Sequence, residues 1–322
     1  MISMSTMTDL SPSRPRHWTT WLTLIVSAAG LIVVVWAAVS DWGGVVHGHP
    51  AYAVLLGATA ALCILTAVLA LRTREHRRGV WRLVGRIALT VLAIAWIALI
   101  AWLKPHTAVE PALAAMESDS AVTVVESATD IVLKPSSGGS GPGVFFQPGA
   151  LVDARAYAAV LRPLAEAGHT VVIAKQPLGI GFLALGAFDG ARTQHPEVTS
   201  WVVGGHSLGG TVAAIEATAD GATDVSGLLL FASYPATDIS DADLAVSSIS
   251  GTEDGLSTPA KIEESRANLP AGTVFVVVDG ASHAQFGSYG LQAGDGTPTI
   301  SNEDARQQIA DASVGFVDSI GR

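Results

Sequence analysis

The sequence predicts three membrane-spanning helices followed by an α/β domain built on a mostly parallel sheet. Three observations carry this expectation. Long apolar stretches crowd the first hundred residues, short strand and helix patterns alternate in the remainder, and a Gly-x-Ser-x-Gly turn joins a strand to a helix within that remainder. Charge follows the same division. Up to Leu103, eight arginines face three acidic residues, whereas the rest of the chain sets 10 basic residues against 25 acidic ones. A basic apolar third and an acidic remainder occupy two environments. The acidic part has no electrostatic footprint for nucleic acid.

Residues 1–17 are polar, contain Pro12 and Pro15, and read as a disordered cytoplasmic tail. Apolar stretches follow at 18–40, 51–71 and 87–103. The first two reach the roughly 20 residues that a bilayer core requires, and the third is within range. Tryptophans near several ends support membrane spans over buried core helices. The first stretch is too long for a cleaved signal peptide, and two further spans follow it. Residues 18–104 are therefore expected to form a three-helix anchor.

Arginine placement sets the orientation. Arg14 and Arg16 precede the first span and six arginines lie between 72 and 86, while residues 41–50 contain no Lys or Arg. The positive-inside rule puts the N-terminus and the arginine loop in the cytoplasm. Everything after Lys104 then lies outside a multi-pass plasma-membrane protein, with the lipid bilayer as partner of the helices. His47 and His49, between the first two spans, read as a solvated turn rather than as metal ligands. Cys63 is the only cysteine and lies in an apolar run, which excludes an intrachain disulfide and a cysteine-based metal site.

Residues 105–120 read as a linker with a short helix, and residues 121–322 as the α/β domain. Strands are expected at 121–126, 131–134, 144–147, 170–174, 201–203, 227–232, 244–249 and 273–278. Helices are expected at 154–167, 208–219, 259–268 and 303–319, and the apolar stretch 178–193 also reads as helical. The Gly/Ser stretch at 136–143 precedes a strand and lacks Gly-Lys-Ser/Thr, so it is a turn and not a phosphate loop.

Gly205-His206-Ser207-Leu208-Gly209 lies between the strand at 201–203 and an Ala-rich helix. Strand–turn–helix context makes this sequence a nucleophile elbow. Glycines flank the serine where strand and helix crowd together, and the helix N-terminus faces developing negative charge. A serine hydroxyl needs a general base, and the base needs an orienting acid. In parallel α/β sheets such groups gather beyond the carboxyl ends of strands. Asp254 follows the strand at 244–249 and His283 follows the strand at 273–278. Glu253 is a close rival for the acid and Asp238 a weaker one. His169 and His195 precede strands and read as surface residues, while His206 reads as a packing neighbour of the serine. An oxyanion hole would take the Leu208 N–H and a second donor from the loop after 144–147, either Ala150 or Leu151.

Five blocks now stand in order: residues 146–152, Ala156-Tyr157, 205–210, 251–255 and 283–287. Together they resemble a bacterial group of α/β-hydrolases, related to the dienelactone-hydrolase-like esterases, that often carries N-terminal membrane helices. The resemblance covers about residues 121–321. It implies an α/β-hydrolase fold and a Ser207–His283–Asp254 triad that acts on a small ester or similar acyl substrate without metal or organic cofactor. Pro148-Gly149-Ala150 departs from the His-Gly of many hydrolases at the oxyanion loop. Two other readings share the fold: an inactive binding or sensor module, and a peptidase or acyltransferase with the same triad. Only residues 233–243 separate two strands where many hydrolases insert a lid, so an open pocket for short acyl chains is expected.

The orientation is directly testable. A phosphatase fused after residue 110 is expected to be active outside the cell and a fusion near Arg78 inactive; the opposite pattern would reverse the topology.

Overall fold

Four helices open the described chain: α1 (Trp18–Ser40), α2 (Trp42–His47), α3 (Pro50–Arg72) and α4 (Val80–Trp102). In the computed structural model, the described residues are 18–72, 79–139 and 141–320. The N-terminal tail at 1–17 and residues 73–78 of the arginine loop therefore lie outside them. Helices α1, α3 and α4 have 23 residues each and are long and apolar enough to cross a membrane. At 1.5 Å per residue each extends about 35 Å, against a hydrocarbon core of about 30 Å.

Helix α4 begins seven residues before the expected start and takes in Arg82 and Arg86. The apolar count alone missed these roughly two turns, because a long arginine stem tolerates a helix end. Residues 41–50 also differ from expectation, since α2 forms where the sequence shows only a turn. Gly43 and Gly44 lower its intrinsic propensity, so packing supplies its stability.

Contacts group the chain into two units: Met1–Trp36 with Leu56–Trp102, and Ala37–Leu55 with Leu103–Arg322. Within the first, polar side chains pair between helices. Ser27 and Thr66 hydroxyls lie 2.9 Å apart, and Trp96 Nε1 donates to Thr59 Oγ1 at 3.1 Å. Such pairing satisfies polar atoms on otherwise apolar helices.

The second unit is organised by an eight-stranded sheet: β1 (Val122–Glu126), β2 (Asp130–Pro135), β3 (Gly143–Gln147), β4 (Val171–Ala174), β5 (Trp201–His206), β6 (Val225–Phe231), β7 (Ala245–Gly251) and β8 (Val274–Val278). Their spatial order is β1-β2-β4-β3-β5-β6-β7-β8. The β1–β2 and β2–β4 pairs are antiparallel and the rest parallel. Every residue of β3 and β5 is buried, as expected for parallel strands covered on both faces.

Alternation assigns side chains to two cores. Val144 and Phe146 join Val202, Leu229 and Ile249 under helices α5 (Ala158–Glu166) and α9 (Asn302–Ile320), while Phe145, Trp201, Val203 and Leu230 face the opposite layer. That layer is formed by α6 (Ala187–Gln194) and α7 (Leu208–Ala217). Helix α8 (Pro259–Ser265) starts at Thr258, whose side chain caps the Lys261 N–H.

Two further expectations need correction. The stretch 178–193 is not one helix: Leu178 has φ 56° and Gly186 φ 91°, so two 3₁₀ turns precede α6. His169 and His195 are buried, not on the surface. His169 bridges the Pro142 carbonyl at 3.0 Å and Asp318 at 2.9 Å, and His195 pairs with Glu197 at 3.2 Å. Burial is tolerated because both rings find polar partners.

Candidate active site

Ser207 occupies the turn between β5 and α7 with φ 52° and ψ −125°. This strained conformation is fixed by neighbours at and just beyond the end of β6. The Ser207 N–H donates to the Phe231 carbonyl at 3.0 Å, and Ser233 Oγ donates to the Ser207 carbonyl at 2.6 Å. The flanking glycines are required by close approach. A Cβ on Gly205 would strike the Gly209 backbone, and one on Gly209 would strike the Gln147 and Pro148 carbonyls.

Asp254 and His283, expected from separate loops, come together at the carboxyl ends of β7 and β8. Asp254 Oδ2 lies 2.8 Å from His283 Nδ1, and both side chains are fully buried. Asp254 Oδ1 accepts the Leu256 and Ser257 N–H groups at 2.8 and 2.7 Å. A carboxylate facing Nδ1 places the proton of the neutral ring there. His283 Nε2 is buried and has no hydrogen-bond partner. Its ring lies 4.5 Å from that of His206, the residue before Ser207. Asp238 caps its own turn at Ser240, away from this pair, and no side-chain bond joins Glu253 to His283 among the described residues.

The loop after β3 holds the expected backbone donors. The Leu151 N–H is committed to the Gly179 carbonyl at 2.7 Å, and the Gly149 N–H to Tyr157 Oη at 2.9 Å. Among the described residues, the N–H groups of Ala150 and Leu208 have no protein acceptor. Leu151 itself has φ 60°, so this loop is strained beside its free donor.

Several contacts at the site escaped sequence reasoning. Tyr157 Oη accepts from the Gly149 N–H and lies within hydrogen-bond distance of His206 Nδ1, at 2.8 Å. Burial pushes the Tyr157 phenol up, and burial together with the nearby His283 keeps the His206 ring well below its ordinary pKa, so His206 is neutral. The pair ties the loop after β3 to the serine turn. Asp295 ties the other two loops, accepting from the N–H groups of Gly255, His283 and Ala284 at 3.1, 3.0 and 2.8 Å. Burial opposes its ionisation, but these bonds hold the carboxyl below its usual range. Its position in a turn-rich segment without periodicity gave no signal.

Behind the loop after β3, Gln147 Nε2 donates to Glu216 Oε2 at 3.0 Å, and Gln176 Nε2 donates to Gln147 Oε1 and the Pro148 carbonyl, both at 2.9 Å. Burial pushes the Glu216 carboxyl up to about 7 despite the bond from Gln147. No group of three or more His, Cys, Asp or Glu side chains is placed to hold a metal ion among the described residues.

A strand order with two antiparallel edge pairings, a serine on a strained strand–helix turn, and an Asp–His pair beyond the next strand ends describe an α/β-hydrolase. The chain belongs to the alpha/beta hydrolase family, whose model matches residues 143–307. No curated protein matches it. Among solved structures it is similar to an esterase from Thermogutta terrifontis, at 12% identity and TM-score 0.46, covering 62% of this chain and 95% of that one. It is likewise similar to a dienelactone hydrolase from Anabaena variabilis, at 16% identity and TM-score 0.45, covering 61% and 99%. A third is an α/β serine hydrolase without lid from Xanthomonas campestris, at 16% identity and TM-score 0.42, covering 62% and 97%.

Glu216 yields a pH test. Its folded pKa of about 7 exceeds the unfolded value of about 4.3, so the folded state holds a proton that the unfolded state has lost between those values. Stability therefore falls as pH rises from about 4 to 7 and is level above. Glu216→Gln is expected to match wild-type unfolding stability at pH 4 and to exceed it at pH 8 by an amount on the order of 3 kcal/mol. Parallel melting curves across that range would show that Glu216 is ionised at no cost.

Proposed function

We propose that this chain is a membrane-anchored serine hydrolase that cleaves short-chain carboxylic esters or similar acyl bonds, with its hydrolase domain outside the cytoplasm. One observation carries the reading: His283 keeps Nε2 without a partner while Nδ1 is held by Asp254. A ring fixed in this way is a base with one vacant lone pair, and Ser207 is the hydroxyl on the adjoining strained turn.

In this reading Ser207 Oγ attacks the acyl carbon and passes its proton to His283 Nε2. Asp254 stabilises the resulting imidazolium. The carbonyl oxygen, now negative, is received by the N–H groups of Ala150 and Leu208, donors worth roughly 3 kcal/mol each in comparable sites. His283 returns the proton to the leaving alcohol as the C–O bond breaks. Water then adds to the acyl-enzyme with His283 as base, releasing the carboxylic acid and restoring Ser207.

Acyl-chain preference follows from what borders the site. Residues 232–244 between β6 and β7 contain no helix. The 3₁₀ turns at 177–184 leave Phe182 and Leu183 exposed, not folded over a deep channel. Short acyl groups suit such a site.

With full-length protein in detergent, a fluorophosphonate probe is expected to label the wild type and not Ser207→Ala. Asp254→Asn is expected to lower kcat by several orders of magnitude and Glu253→Gln to leave it within twofold. An unlabelled, inactive wild type would favour a binding module instead.

Across nitrophenyl esters, kcat/KM is expected to peak at acetate to butyrate and to fall toward palmitate. A long-chain maximum would assign an acyl-binding role to residues 178–187.

A further inference from the structure

The segment that follows α4 does not run free to the hydrolase domain. It forms a parallel β-bridge with the loop after β3, pairing His106 with Val152. The His106 N–H donates to the Leu151 carbonyl at 2.6 Å, and the Asp153 N–H donates to the His106 carbonyl at 3.0 Å. Three residues on, the Val109 N–H donates to the Ser288 carbonyl at 2.8 Å, and the Ser288 N–H in turn donates to Ala156 at 2.8 Å. One short stretch of chain is therefore bonded both to the loop carrying Ala150 and to the segment just beyond His283.

That stretch is held in place by the residues between α1 and α3. Asp41 is buried and accepts hydrogen bonds from Lys104 Nζ, from Thr107 Oγ1 at 2.7 Å and from Ser40 Oγ at 2.7 Å. Burial opposes ionisation of Asp41, but these donors hold its carboxyl below the usual range. Gly44 packs against Pro105 and Thr107, and Gly43 against Arg155, so closely that a Cβ on either would collide. Arg155 in turn bonds Asp153 at 2.6 Å, and Asp153 Oδ2 accepts the Ala108 N–H at 3.4 Å.

The strain at Leu151 gives this arrangement a purpose. A non-glycine residue at φ 60° is strained and persists only when its surroundings over-determine it. Here the Leu151 N–H is fixed by Gly179 and its carbonyl by His106. Without the His106 bond, the Ala150–Leu151 segment loses one of its two anchors, and the Ala150 N–H loses its direction.

We infer that Asp41, through Lys104 and Thr107, clamps the segment after α4 against the loop after β3 and thereby positions the Ala150 N–H for oxyanion stabilisation. The residues between the first two apolar helices thus act as a positioning element of the hydrolase. This rests on the serine-hydrolase reading proposed above.

The test uses full-length protein in detergent with nitrophenyl acetate as substrate and a trifluoromethyl ketone as probe of the oxyanion hole. Asp41→Ala is expected to lower kcat about tenfold with KM within twofold, and to raise the ketone Ki by a similar factor. Lys104→Arg, which keeps the cation, is expected to retain at least half of wild-type kcat. Thr107→Val removes one bond to Asp41 and should give an intermediate loss, which serves if Asp41→Ala fails to fold. Unchanged kcat in folded Asp41→Ala or, failing that, Thr107→Val, or a fall in kcat with unchanged ketone affinity, would overturn the inference. Ser207→Ala separates the two claims: if it keeps full activity, the serine-hydrolase reading fails. An activity that depends on Ser207 and ignores Asp41 and Thr107 defeats the positioning claim alone.

Discussion

The approach of α7 to the ends of β3 and β5 is the constraint on which the site depends. Gly205 and Gly209 exist because the helix backbone passes where a methyl group would meet the Gln147 and Pro148 carbonyls or the first helical turn. That proximity forces the chain to reverse within one residue, and Ser207 takes the strain at φ 52°. It also brings the loop after β3 beside the helix N-terminus. The two free N–H groups, Ala150 and Leu208, therefore lie on elements that already touch. Much of the remaining hydrogen bonding around the site maintains that closeness: Tyr157 between Gly149 and His206, and Gln147 and Gln176 between Glu216 and Pro148.

The polar groups of the site are held in two sets by different means. On the Ser207 side, a neutral network of Tyr157, His206, Gln147 and Gln176 spans the buried ends of β3, β4 and β5. Neutral partners keep the desolvation cost small, and the one carboxyl among them, Glu216, is raised to about 7 by the same burial. On the His283 side, two carboxyl groups collect backbone N–H groups. Asp254 receives Leu256 and Ser257 as well as His283, and Asp295 receives both loops. Backbone donors there replace the water that burial removes.

The division between what was legible in the sequence and what was not follows the range of the interactions. Periodicity and turn chemistry are local, so all eight strands and the strand–helix turn at Ser207 were readable, as was the placement of Asp254 and His283 just past a strand each. Asp254 could be separated from Glu253 only by the fold, because adjacent carboxyls on one loop differ in direction and not in pattern. The same holds for Ala150 and Leu151, where a bond to Gly179, 28 residues away, decides which N–H is free. Helix α2, the buried His169 and the Tyr157–His206 contact were invisible for a common reason. Their stability comes from partners distant in sequence, while their own residues favour turns or surfaces.

The pairing of Gly43 with Arg155 and of Asp41 with Lys104 also sets an order of events during synthesis. Residues 41–49 leave the ribosome roughly a hundred residues before Asp153 and Arg155, so α2 is made long before the surface that completes it exists. A six-residue helix with two glycines has no stability of its own in that interval. The segment therefore waits as unstructured chain between two finished helices and folds only when the strand-and-loop layer around β3 arrives. For this protein, formation of the apolar helices and folding of the hydrolase part are not successive, independent stages. The last structure to form in the helix-rich region is templated by the domain synthesised after it.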